Sequence, residues 1–177
     1  MRHLDADGTP NGSSAQWAKA NAGYLSFPGY HLAYARTLDR EDAFSQAITA
    51  YTHAILDDAS TATPDVVEEF ARAYTQRLRR NEGVRKFESL IEIAEKRRLP
   101  PNLIGTLHLQ TALLYQPEST RSKVRRHLSS AIDYLGEKPE ILRAYVTYYE
   151  AKNKPEQARI WRFKLRQAEI VQKGTTP

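Results

Sequence analysis

The sequence predicts an all-α protein in which a short lead helix is followed by about four helical hairpins, stacked in chain order. Three observations carry this. Apolar residues recur three and four apart, as in Val66, Val67, Phe70, Tyr74 and Leu78 and again in Ile141, Leu142, Tyr145, Val146 and Tyr149, which is the period of a helix face and not of a strand. Clusters of Gly, Pro, Asn and Asp cut the chain into segments of helical length. A nine-residue spacing then returns four times, the mark of a repeated unit.

Residues 1–13 mix Asp, Gly, Pro, Asn and Ser with few apolar side chains, too few to offset the entropy of ordering, and read as a tail. The lead helix follows and stops at Phe27-Pro28-Gly29. The first hairpin turns at Asp39-Arg40-Glu41-Asp42 and ends between Thr61 and Asp65. The second opens with Thr63 as N-cap ahead of Pro64 at the first helical position, turns at Asn81-Glu82-Gly83 and ends at Leu99-Pro100-Pro101. The third turns at Gln116-Pro117 and ends between Gly136 and Pro139. The fourth turns at Asn153-Lys154-Pro155, with Asn153 read as a second N-cap. One helical-repeat domain is expected over residues 14–172, with 173–177 as a C-terminal tail.

Composition bounds the function. The chain has 177 residues, 41% of them hydrophobic, enough to bury a continuous core. With no cysteine there is no disulfide framework, thiolate zinc site or thiol nucleophile. No run approaches the roughly 18 apolar residues of a membrane span, and the polar start from Met1 to Gly8 does not read as a secretory signal, so a cytoplasmic location is expected. Residues 1–60 carry 4 Lys/Arg against 7 Asp/Glu, leaving 22 against 14 for the rest, so the formal +5 is made of a −3 part and a +8 part. A basic C-terminal two-thirds favours phosphates or acidic protein surfaces, although a solvated surface rich in Lys and Arg is the plainer reading.

The recurrent spacing joins Leu38 to Ala47, Leu78 to Phe87, Tyr115 to Val124 and Tyr149 to Ala158. Each second helix continues four and seven residues on: Tyr51 and Ala54, Ile91 and Ala94, Leu128 and Ala131, Arg162 and Leu165. The anchors 47, 87, 124 and 158 are 40, 37 and 34 residues apart, bracketing the 34-residue period of tetratricopeptide repeats. With its small residues at Ala47, Ala50 and Ala54, and at Ala35 and Ala112 twelve before their anchors, the chain resembles that family over roughly residues 28–170. It departs where the family has a large aromatic early in the first helix, here His31, Ala71, His108 and Leu142, and at Arg162, where an aromatic is usual.

The resemblance implies a right-handed α-solenoid and a binding scaffold or adaptor for a protein partner, with the first helices lining a concave groove. Its groove positions fall on Leu32 and Arg36, then Glu69, Arg72, Gln76 and Arg79, then Leu109 and Leu113, and finally Arg143, Thr147 and Glu150. Arginines there suit an acidic or phosphorylated peptide or helix, because the guanidinium fork pairs two oxygens of a carboxylate or phosphate at once. The family's Lys and Asn clamp for a terminal carboxylate does not occur at these positions.

An alternative is nucleic-acid association through a basic helical face made of Arg121, Lys123, Arg125 and Arg126 with Arg159 and Arg162. Cations at Arg79, Arg80 and Lys96 to Arg98 are explained as closing helix C-termini, where they offset the dipole; those from Arg121 to Arg126 open a helix and are not. Trp161 and Phe163 lie two apart, so only one of them faces the core. No glycine-rich phosphate loop, His-Glu metal motif or nucleophile elbow is present, His31, His53, His108 and His127 are spread over different helices, and Glu68-Glu69 reads as favourable first-turn charge. Neither an enzyme nor a metal or cofactor is expected.

Overall fold

The protein is described from a computed structural model, which describes residues 27–115 and 121–174. These residues form eight helices and no strand: α1 (Tyr30–Arg40), α2 (Phe44–Leu56), α3 (Pro64–Gln76), α4 (Arg80–Lys96), α5 (Pro101–Leu114), α6 (Arg121–Leu135), α7 (Pro139–Ala151) and α8 (Pro155–Gly174). The lead helix expected after residue 13 and the tail 1–13 lie outside the described residues; α8 runs to Gly174, into the start of the expected C-terminal tail. Contacts divide the chain into two compact units, Met1–Ala73 and Tyr74–Pro177.

Proline supplies four of the helix starts, Pro64, Pro101, Pro139 and Pro155, where its missing N–H costs nothing. The turns obey a rule that composition did not announce. Asp42, Leu78, Arg98 and Asn153 all sit in the left-handed region, with φ of 56° to 58°. In each case the next residue donates its N–H back five residues, Ala43 to Leu38, Arg79 to Tyr74, Leu99 to Ala94 and Lys154 to Tyr149, at 2.8 to 3.0 Å. This is the helix-closing motif usually built on glycine, here made four times without one.

These turns correct the register of the repeat at one place. Leu38 to Ala47 and Tyr149 to Ala158 stand where expected, but the equivalent pair in the second hairpin is Tyr74 to Gly83, not Leu78 to Phe87. Leu78 is the turn residue itself and is 88% exposed. Asn81-Glu82-Gly83 is not a break but lies in the first turn of α4, where a Cβ on Gly83 would come within 2.9 Å of the Tyr74 ring. Arg79 and Arg80 therefore open α4 and do not close α3. Asn153 closes α7 and is not the N-cap of α8. The Tyr115 to Val124 link passes through residues that are not described.

In the first unit α1 and α2 pack as a hairpin over Ala35, Leu38, Ala47, Tyr51 and Ala54, all buried. Tyr51 stacks on Phe70 of α3 with ring centroids 4.9 Å apart. The Asp58 carboxylate accepts from the Gly29 N–H at 2.6 Å, tying the start of α1 to the end of the hairpin.

The second unit is built around α5. It packs against α4, α6 and α7, and every residue from Leu103 to Leu109 is buried. Over this enclosed stretch apolar residues fall on every side, and its polar members Thr106 and His108 are buried too, so no solvent-facing stripe marks it. Gly105 permits a close crossing with α6: a Cβ there would meet Leu135 Cγ at 2.5 Å and Tyr134 Cβ at 2.8 Å. On the far side α8 packs on α7, with Trp161 stacked on Tyr145 at 3.9 Å and 4° and Ala158 fully buried.

Candidate functional site

The expected groove residues fall in both units and are mostly committed to partners inside their own unit. Arg36 lies in the first unit and makes a two-pronged pair with Glu69, Nε to Oε1 at 2.9 Å and Nη2 to Oε2 at 2.8 Å. Tyr51 Oη donates to the same carboxylate at 2.8 Å, so one acid on α3 ties α1 to α2. Burial works against the Glu69 charge, but the hydrogen bonds from Arg36 and Tyr51 and the charges of Arg36 and Arg72 outweigh it and hold this carboxyl below its ordinary range. Glu69 is therefore a structural knot and not simple first-turn charge.

Arg72 is exposed one turn from this knot. In the second unit Gln76 and Arg79 are exposed, and Arg79 pairs with Glu82 at 2.6 Å. Leu109 is only 6% exposed and belongs to the core of α5, which corrects its placement in a groove. Leu113, one turn on, is open. Arg143 pairs with Glu169 of α8 at 3.0 Å, and the Thr147 hydroxyl turns back onto the Arg143 carbonyl at 3.2 Å. Exposed pairs such as these contribute up to about 1 kcal/mol and can be exchanged for an incoming acid, whereas the Arg36 fork is anchored from both sides.

The basic face is likewise interleaved with acids. Lys123 donates to Glu88 at 3.1 Å, and Arg162 pairs with Glu150 and Lys164 with Glu137. Arg125, Arg126 and Arg159 are exposed. Arg121 does begin α6, as expected; its side chain lies outside the described residues.

The last helix carries a surface the groove positions did not include. Its inner face, with Ala158 and Trp161, lies against α7 together with the Arg162 and Glu169 ion pairs. Of the two aromatics set two apart, Trp161 is the packed one and Phe163 is 64% exposed. Ile160, Phe163 and Ile170 share the opposite face by their three- and seven-residue spacing, and Ile160 and Ile170 are also about 60% open, at 59% and 63%. Arg159 and Arg166, seven apart and exposed, run along one edge of this stripe. This apolar band with a cationic border stands open to solvent on a helix already packed by its other face, and is not a core element.

Two histidine pairs also escaped the one-dimensional reading. His31 and His53 stack with centroids 5.0 Å apart beside Tyr30 and Tyr34, around an open cavity of about 320 Å³ in the first unit. The rings around it rest on one another, Tyr30 against Tyr34 at 6.1 Å and edge-on against His31 at 5.4 Å. His108 and His127 meet in the second unit, Nδ1 to Nδ1 at 2.9 Å. Among the described residues no group of three or more His, Asp or Glu has the geometry to hold a metal ion, and no helix is long and apolar enough to cross a membrane. No family model, curated protein or solved structure matches the chain.

Proposed function

We propose that this chain is a protein-interaction module of stacked helical hairpins, tetratricopeptide-like in plan, whose last helix docks an amphipathic helix with acidic flanks from a partner protein. One observation supports it above the others: the outward stripe of Ile160, Phe163 and Ile170 on α8, bordered by Arg159 and Arg166. The stripe matches the three- and seven-residue spacing by which a helix inserts its own anchors. The border chooses the partner's charge. A second copy of α8 would bring arginines against arginines, whereas a helix edged with Asp or Glu pairs with them. The arginines expected to line a groove contribute less, because Arg36 and Arg143 already hold acids of the same chain.

The test is selection from a displayed library of helical peptides, followed by titration of the winner. Enriched sequences carry an apolar stripe with acidic borders; Phe163→Asp weakens the winner at least tenfold, and Arg159→Glu with Arg166→Glu does so in a salt-sensitive way. Fold is unaffected, since these side chains leave little behind when changed. Enrichment of basic peptides, indifference to Phe163→Asp, or preferential binding to duplex DNA or to anionic vesicles under the same conditions refutes the reading.

A further inference from the structure

The buried pair His108 and His127 joins α5 to α6 in an arrangement whose proton count is limited by geometry. Their Nδ1 atoms are 2.9 Å apart, so one ring donates and the other accepts. The outer nitrogens each face an acid of α4: His108 Nε2 lies 3.5 Å from Glu95 Oε1, and His127 Nε2 lies 3.7 Å from Glu88 Oε1. His127 Nε2 is buried and without a hydrogen-bond partner at that distance.

Hydrogens can be counted on these four nitrogens. The neutral pair carries two, one shared between the Nδ1 atoms and one outside, so one outer nitrogen turns a lone pair toward a carboxylate. A single added proton fills that place, and both outer N–H groups then point at acids while the inner bond is kept. A second added proton has only an Nδ1 left to occupy. It sets N–H against N–H across 2.9 Å and two cationic rings in contact where water is excluded.

We propose that His108 and His127 form an acid-operated latch between α5 and α6, closed while the two rings carry at most one added proton and opened by the second. The surroundings favour the closed state at neutral pH. Glu88 is occupied by Tyr115 Oη at 2.6 Å and Lys123 Nζ at 3.1 Å, which leaves it a weak acceptor for His127. From α6, Arg126 opposes protonation of both rings, Asp133 favours it at His108, and the Tyr134 ring stacks on His108 at 5.9 Å. From α7, Tyr145 reaches Ser129, Arg125 and Asp133 of α6. Burial first, and then the charge of His108, push His127 down to about 4; burial also lowers His108 against the pull of Glu95. Separating the rings moves Tyr134, which stacks on His108 and sits at the Gly105 crossing, so the latch and that close helix contact open together.

The experiment is amide hydrogen exchange on the full chain between pH 7 and 4, corrected for the intrinsic pH dependence. Protection of α5 and α6 falls at least tenfold relative to α8, which has no histidine. In His127→Gln, whose amide can still bond to His108 but takes up no proton, α5 and α6 keep their protection. Equal loss in wild type and variant, parallel loss in α8, or no loss in wild type overturns the latch. Should His127→Gln not fold at pH 7, the ring resonances of wild type decide. Two coupled steps at least one pH unit apart, with contact between the rings lost at the second, support it; two independent titrations near the ordinary value of about 6.5 overturn it.

Discussion

Replacing Gly105 by Ala separates two opposite expectations by sign. At an open helical position the change raises stability by up to about 1 kcal/mol, because glycine loses more backbone freedom on folding. At Gly105 the new methyl would lie 2.5 Å from Leu135 Cγ, 2.8 Å from Tyr134 Cβ and 2.9 Å from Leu135 Cδ2. Two of those atoms are close to the α6 backbone, so rotating a side-chain end gives no relief and the helices must part. Overpacking of this kind costs about 1–3 kcal/mol, sometimes more. With three contacts under 3.0 Å the upper end of that cost applies; net of the helix gain, the variant should be about 2 kcal/mol less stable, and at roughly 2–4 °C per kcal/mol for a chain of this size its Tm should fall by about 4–8 °C. Urea unfolding followed by far-UV circular dichroism measures it, with Gly83→Ala as a milder companion because one of its close contacts, at 3.2 Å, is the terminal methyl of Leu114. A Gly105→Ala protein as stable as wild type or more so would refute the close crossing of α5 and α6.

At Leu78, 88% exposed and held at φ 56°, glycine should stabilise by about 0.5–1 kcal/mol, read as a rise in the denaturation midpoint. Glu69→Ala removes the acceptor of both Arg36 and Tyr51 and should lower stability by about 2–3 kcal/mol, while Tyr51→Phe should cost about 1 kcal/mol; equal and negligible losses in both would show the knot to be decorative. Stability should also fall as pH drops from about 6.5 towards 4. The folded state holds His127 down to about 4, so the unfolded chain takes up its proton first and gains on the fold across that window, by about 2–3 kcal/mol. Below that, Glu69 acts in the same direction for a different reason: its carboxyl is held low when folded, so the stability it contributes is present above about 4.3 and lost as pH falls through its folded value. Unfolding curves at half-unit pH intervals check both, and His127→Gln should flatten only the upper part.

Periodicity made the helices legible, and prolines at Pro64, Pro101, Pro139 and Pro155 marked their starts. Gly83 misled because an isolated glycine signals a turn, while its actual use is to let α4 approach Tyr74. The true turn sits at Leu78, a residue with no turn propensity, placed in the left-handed region by the packing on either side. Leu109 looked like a groove position because α5 has no polar face from which to tell inside from outside. Glu69 and the two histidine pairs were out of reach for another reason: their partners are 18 to 33 residues away and only the folded hairpins bring them together. The exposed face of α8 could have been read from Ile160, Phe163 and Ile170, but only once Trp161 was known to take the core side.

The four left-handed turns have a consequence for how this chain tolerates change. Asp, Leu, Arg and Asn perform one geometric task at Asp42, Leu78, Arg98 and Asn153, so the identity of the turn residue carries almost no instruction. The instruction resides in pairs nine apart, Leu38 with Ala47, Tyr74 with Gly83, Ala94 with Leu103 and Tyr149 with Ala158, which bracket each turn. A saturation mutagenesis scan would find the bends permissive, rejecting mainly proline and β-branched side chains, and the flanking sites strict in volume. Hairpins of this type can drift freely at their most visible punctuation while their fold is recorded in the sizes of a few enclosed side chains.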